Sequence, residues 1–216
     1  MDERRKQMIS LAHATKRYGK AQVLSDVTVT FEKGKIHGLV GRNGSGKTVL
    51  LKIICGLIEP SEGTVTVNGK RVEDGRTPEG LIAMIETPGF LPYYSGRRNL
   101  CLLYSIRNRR NRKKVEEAML RVGLDPMSRK WTCKYSMGMR QRLGIAQAIM
   151  EEPELFLLDE PMNGLDNQGV ADMRKLFLEL KAQGKTIVLA SHSREDIEVL
   201  CDHVYEMDEG RLTRIS

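Results

Sequence analysis

Eight consecutive residues, GRNGSGKT from Gly41 to Thr48, restrict this chain more than any other stretch. They satisfy the spacing G-x-x-x-x-G-K-[ST] between a short stretch, Lys35 to Val40, that reads as a strand and residues Lys47 to Cys55 that suit a helix. Strand, glycine-rich loop and helix in that order let backbone N–H groups converge on one point, with the positive end of the helix dipole behind them. Gly41, Gly44 and Gly46 supply the backbone freedom, and Arg42, Asn43 and Ser45 complete the loop. Such a loop is shaped for phosphate. Lys47 then reaches the β- and γ-phosphates of a nucleotide, and the Thr48 hydroxyl is a ligand for Mg²⁺.

The rest of the chain supplies the sheet that such a loop needs. LFLLDE, Leu155 to Glu160, and TIVLAS, Thr186 to Ser191, are continuous apolar runs of the kind found in strands covered on both faces. Between them Val170, Met173, Phe177 and Leu180 recur at helical spacing, and Gly184 ends the helix. Strand, helix, strand predicts a parallel sheet. Earlier residues alternate instead: Val27, Val29 and Phe31 share one face, Lys33-Gly34 turns, and TVTVNGKRV reads as a hairpin around Asn68-Gly69 after Glu59-Pro60-Ser61-Glu62-Gly63 has broken the first helix. Beyond Pro92 the pattern is helical. Ser95 caps a helix to about Arg107, while Val115, Ala118, Met119 and Val122 mark another stopped by Gly123. In YSMGMRQR, Ser136 is an N-cap candidate with Gly138 in the first turn. The expected class is α/β, one domain over residues 1–216: a parallel-sheet core with an antiparallel β subdomain (1–90 and 149–216) and an inserted α-helical subdomain (91–148).

Asp159 and Glu160 fall at the carboxyl end of a buried strand, where a parallel sheet opens its ligand crevice. Asp159 could hold Mg²⁺ through water, and Glu160, pointing the other way, could orient or deprotonate an attacking water. His192, in LASHS at the end of the next strand, borders the same crevice and is placed to contact the γ-phosphate or that water.

Composition narrows the partners. A chain of 216 residues, 40% hydrophobic and 29% charged, can bury one substantial core and is not disordered. No apolar run is long enough to cross a bilayer and the start, MDERRKQM, is charged, so a cytoplasmic location is expected. Cys55, Cys101, Cys133 and Cys201 have no metal spacing and are expected to be reduced, mostly buried small hydrophobes. The net charge of +7 permits anionic partners. RNRRNRKK, Arg107 to Lys114, has no interleaved aromatic residue on which a base could stack, so it reads as a solvated face with lipid headgroups as a secondary contact, and no nucleic acid is expected as partner.

In this order the motifs resemble the nucleotide-binding subunits of ABC transporters over nearly the whole chain. Tyr18, in KRYGK, matches the aromatic residue that stacks on adenine; GRNGSGKT matches the Walker A motif and LFLLDE the Walker B motif with its catalytic glutamate. NGLD, Asn163 to Asp166, resembles the D-loop, His192 the switch histidine, and YSMGMRQR a degenerate LSGGQ signature with Met137 and Met139 replacing a glycine and the glutamine. The resemblance implies a P-loop NTPase core, ATP and Mg²⁺ as cofactors, and hydrolysis that uses Glu160, His192 and Lys47. It also implies a head-to-tail homodimer in which Ser136 and Gly138 face the ATP of the second nucleotide-binding subunit. A separate membrane-spanning permease, met at the inner face of the cell membrane, completes the expected assembly. At IETPGF, Glu86 stands where the family usually has a glutamine; a carboxylate can ligate Mg²⁺ but donates no hydrogen bond when ionised. Glu86 followed by TPGFLPYYSGRRNL is similar to lantibiotic-immunity and bacitracin-resistance exporters, which implies an antimicrobial peptide or drug as cargo. Tyr93 and Tyr94 suit either the core or the membrane partner. The alternative, a soluble ATPase of this type acting on ribosomes or DNA, usually has two cassettes or a long coiled-coil insertion, and the sequence has neither.

Overall fold

The computed structural model describes residues 7–86 and 89–216; the charged start, 1–6, and Thr87 and Pro88 of the IETPGF segment lie outside the described residues. Two sheets organise the chain. The first has the order β2-β1-β4-β5 and is antiparallel, formed by β1 (Gln7–Tyr18), β2 (Ala21–Glu32), β4 (Glu62–Val67) and β5 (Lys70–Arg71). Asn68 and Gly69 turn β4 into β5 with φ of 49° and 74°, the consecutive left-handed pair that a tight two-residue hairpin requires.

The second sheet has the order β10-β9-β3-β8-β7-β6. Its parallel part comprises β3 (Ile36–Val40), β6 (Leu81–Met84), β7 (Leu155–Asp159), β8 (Thr186–Ala190) and β9 (His203–Asp208), and β10 (Arg211–Arg214) adds antiparallel to β9. The apolar runs read from the sequence are two-faced. In β7, Leu155 and Leu157 pack toward the antiparallel sheet and α1 (Lys47–Ile54), whereas Phe156 and Leu158 pack toward the helices on the other side. In β8, Val188 and Ala190 take the first side and Ile187 and Leu189 the second. With both faces covered, polar residues stand only at the strand ends, Asp159 closing β7 and Thr186 opening β8, which is why neither strand alternates.

The helices carry the caps expected of them. α2 (Gly96–Arg107) starts with Ser95 Oγ accepting from the Arg98 N–H, and α4 (Met137–Ile149) with Ser136 Oγ accepting from the Met139 N–H. Val115, Ala118 and Met119 of α3 (Arg112–Arg121) are buried, as is Val122 just beyond it. α5 (Asn167–Ala182) and α6 (Arg194–Leu200) are capped by Asp166 and Ser193. RNRRNRKK spans the end of α2, the connection and the start of α3, exposed from Arg107 to Lys113. Among the described residues no helix is long and apolar enough to cross a membrane.

One expectation is corrected and one open alternative is narrowed. All four cysteines are free, but only Cys55 is buried; Cys101 and Cys201 are half-buried, and Cys133 is exposed in the short turn Thr132–Lys134 that precedes α4. Tyr93 is not in the core: it is 70% exposed, edge-on to Trp131, while Tyr94 is half-buried under the Arg98 guanidinium.

Candidate functional site

Parallel pairing fixes the site. In register, Leu39 and Asp159 both face Ala190, and Met84 faces Leu158, so β3, β6, β7 and β8 end along one edge of the sheet. The chain leaves that edge at Gly41, Ile85, Glu160 and Ser191. Residues from four distant parts of the sequence thereby meet at one crevice.

Asn43 to Thr48, Glu86, Asp159 and Glu160 line a cavity of about 500 Å³ at this edge. Its floor is the glycine loop. Gly41 has φ of 148°, and a Cβ there would lie 2.2 Å from the Met207 carbonyl oxygen; Gly46 has φ of 115°, with Val23 O and Leu24 Cδ2 both 2.9 Å from the same added atom. Only glycine lets the loop close so tightly. The Lys47 ammonium is buried and donates to Gly41 O at 2.7 Å and Arg42 O at 3.1 Å, folded beneath its own loop. Ser45 Oγ is buried with no hydrogen-bond partner. An orphaned hydroxyl and a lysine satisfied only by two loop carbonyls fit a cradle for phosphate oxygens.

Thr48 Oγ1 donates to Asp159 Oδ2 at 2.7 Å, which joins α1 to the end of β7. A hydroxyl and a carboxylate at that separation form a hard-oxygen donor set of the kind Mg²⁺ takes beside a nucleotide. Glu160 is turned away from this pair. Its φ is 49°, its N–H donates to Ala190 O at 2.9 Å, and its Oε2 meets His192 Nδ1 at 2.8 Å. An ionised carboxylate only accepts, so Nδ1 carries the hydrogen and Nε2 is left for another partner. Gln141 Nε2 donates to the Glu160 carbonyl at 3.1 Å, tying α4 to the same residue. The expected direct role of His192 at the phosphate or water thus begins as a contact with Glu160.

Glu86 follows β6 with φ of 64° and accepts from Lys52 Nζ at 2.6 Å. The ammonium holds the Glu86 carboxyl below the usual carboxylate range, and the bond raises Lys52 in turn. The remaining sequence-picked residues lie around the cavity and not on its wall. Tyr18, at the end of β1, is 51% exposed with the Lys16 ammonium 5.2 Å from its ring. Ser136 is exposed at the start of α4, and a Cβ on Gly138 would lie 2.7 Å from the Gly164 carbonyl oxygen, so this first turn packs on NGLD. Met137, Gln141 and Asn163 do reach the wall; the sequence had placed them in the signature-like and D-loop-like motifs without assigning them to this cleft. Lys52 had a signal: it lies four residues after Thr48, hence on the same face of α1.

The ABC transporter family model matches residues 24–163. The chain is 43% identical to the uncharacterized ABC transporter ATP-binding protein YybJ of Bacillus subtilis (strain 168), covering 95% of this chain and 94% of that one. It is 41% identical to the bacitracin transport ATP-binding protein BcrA of Enterococcus faecalis, covering 95% of this chain and 68% of BcrA. Among solved structures, cbiO1 of Clostridium perfringens, part of the ABC transporter complex cbiONQ, superposes with a TM-score of 0.83 at 26% identity, covering 96% of this chain and 87% of cbiO1. With the loop, the hydroxyl–carboxylate pair and the glutamate–histidine pair at one sheet edge, the chain belongs to the ABC transporter family as its ATP-binding, ATP-hydrolysing subunit.

Proposed function

We propose that this chain binds ATP with Mg²⁺ in the cleft above Gly41–Thr48, hydrolyses it as one half of a homodimer, and drives a separate permease from the inner face of the membrane. The observation that carries the reading is the pairing of Thr48 with Asp159 beside the pairing of Glu160 with His192, two differently directed carboxylates at adjacent positions. In this reading the loop N–H groups and Lys47 hold the phosphates, and Tyr18 offers its exposed ring to the adenine. Thr48 and Asp159 would hold Mg²⁺, which supplies charge neutralisation at the phosphate oxygens. Glu160 takes the proton of the attacking water and His192 fixes its carboxylate.

The second subunit enters through α4. Ser136 Oγ already accepts from the Met139 N–H, but its own O–H remains to donate, so it and the N–H groups around Gly138 suit an anion held by the partner subunit. The helices of 91–148 form the lobe that presents this turn, set on the core of 1–90 and 149–216. Leu57 and Ile106, 57% and 75% exposed, border one hollow with Arg107, and Leu102, 40% exposed, lies one turn before Ile106 on α2; they give the permease an apolar surface at the start of the basic stretch, with the exposed Tyr93 a further contact on the same lobe. Likeness to BcrA, together with Glu86 and the sequence after it, supports an amphipathic antimicrobial peptide of the bacitracin kind as cargo.

Purified protein is expected to hydrolyse ATP only with Mg²⁺. Glu160→Gln is expected to lower turnover by about 10²–10⁴-fold, the scale of general-base catalysis, while retaining nucleotide and accumulating dimers in light scattering. Unchanged turnover in that variant, or monomers with nucleotide and Mg²⁺ present, overturns the mechanism. Co-expression with a cognate permease should protect a sensitive host against bacitracin, and no protection removes the cargo assignment.

A further inference from the structure

The Lys52–Glu86 contact lies at the nucleotide cleft and is not accounted for by the roles assigned so far. Lys52 stands one helical turn beyond Thr48 on α1, and Glu86 reaches it in a left-handed conformation that side chains rarely adopt. Glu86, Asp159 and Glu160 all line the cleft, so three carboxylates among the described residues border a space shaped for a polyanion. The Lys47 ammonium is directed to the loop carbonyls, Asp159 has a neutral hydroxyl as partner, and Glu160 has His192. Glu86 is the one of the three paired with a lysine. At 31% and 66% exposure the two side chains form an ion pair of the class that adds little to stability, so its effect must be sought in the charge of the cleft.

We propose that Lys52 is a positioning residue that draws Glu86 against α1 and cancels its charge, which lets a glutamate border a triphosphate site without repelling its ligand. The inference rests on the cleft being the nucleotide site. Lys52→Met leaves the Glu86 carboxylate uncompensated and weakens binding; adding Glu86→Gln removes the charge that Lys52 had balanced and restores it. Lys52→Arg keeps the pair.

The test is titration with a fluorescent ATP analogue, with and without Mg²⁺, at low and high salt, which reads affinity and requires no turnover. Lys52→Met is expected to raise Kd about three- to tenfold at low ionic strength, the effect shrinking as salt screens it, as for one unit charge across a partly solvated cleft. The Lys52→Met/Glu86→Gln double variant is expected to return to within about twofold of wild type, which also shows that the fold survives the substitution of Lys52. Unchanged affinity in Lys52→Met overturns the proposal. Equal weakening in the single and double variants overturns it too, since Lys52 would then act on the nucleotide directly. Failure of the wild-type protein to bind the analogue at all sinks the nucleotide reading itself, a different result from either.

Discussion

Asp159 and Glu160 are neighbours that act on different partners because an extended chain sends successive side chains to opposite sides. The left-handed turn at Glu160 completes the separation: Asp159 meets Thr48 in front and Glu160 meets His192 behind. His192→Ala should therefore loosen Glu160 without touching the phosphate cradle. Steady-state kinetics are expected to show kcat reduced about ten- to a hundredfold with KM for ATP within twofold, the pattern of an interaction made chiefly in the transition state. A rise in KM with unchanged kcat would instead place His192 in binding. At this scale the sequence was legible wherever a strand end fixed a residue: Lys47, Thr48, Asp159, Glu160 and His192 come together as expected. Lys52, and the arrival of Gln141 and Asn163 at this cleft from their own motifs, were not, since these depend on how α1, α4 and the turn after β7 approach each other.

Between elements, the segment bearing His192 is held from behind by α5. Arg174 donates through Nε and Nη2 to Asp196 Oδ1, at 2.8 and 2.6 Å, and through Nη1 to Glu195 Oε1 at 2.7 Å, while Ser193 caps α6. Asp196 is 3% exposed, so removing its partner strands a buried charge. Arg174→Met is expected to cost about 3–5 kcal/mol. In a domain of this size that lowers Tm by roughly 6–20 °C in a thermal melt. Arg174→Lys should fall between, because one ammonium does not reproduce the two-carboxylate grip. A melt unchanged in Arg174→Met would show that the clamp is dispensable. The elements themselves were readable in proportion to their regularity. α2, α5, β7 and β8 announce themselves by period or by a continuous apolar run. β1 does not: its pairing with β2 shifts register after Leu11 and again after Ala14, and His13 has φ of 54°, so burial loses its alternation. β6 has only four residues, and α6 only seven.

For the molecule as a whole, the join between its two sheets carries an acid sensitivity. His37 of β3 is fully buried there, edge-on to Phe31 of β2 at 5.1 Å and beside His203 and Tyr205 of β9. Its Nε2 donates to the Glu32 carbonyl at 2.9 Å, and Nδ1 has no partner. Burial pushes the His37 imidazole down to about 4 from 6.5; the bond to the Glu32 carbonyl and the nearby Glu32 and Asp202 carboxylates act the other way without offsetting it, and the neighbouring His203 adds to the lowering. The folded chain therefore keeps this ring neutral down to about pH 4, whereas the unfolded chain protonates it below about pH 6.5. Between those values the unfolded state binds more protons, so stability is complete above about 6.5 and is lost as pH falls toward 4. The full loss from this one residue is on the order of 3 kcal/mol. His37→Gln retains a donor for the Glu32 carbonyl and has no proton to gain. Urea midpoints measured from pH 8 to pH 4 should fall more steeply for wild type than for the variant, with the two curves diverging below about 6.5; the carboxylates shared by both proteins cancel in the difference. Parallel curves would mean that the ring is protonated within the fold, and that the join between the sheets tolerates the charge.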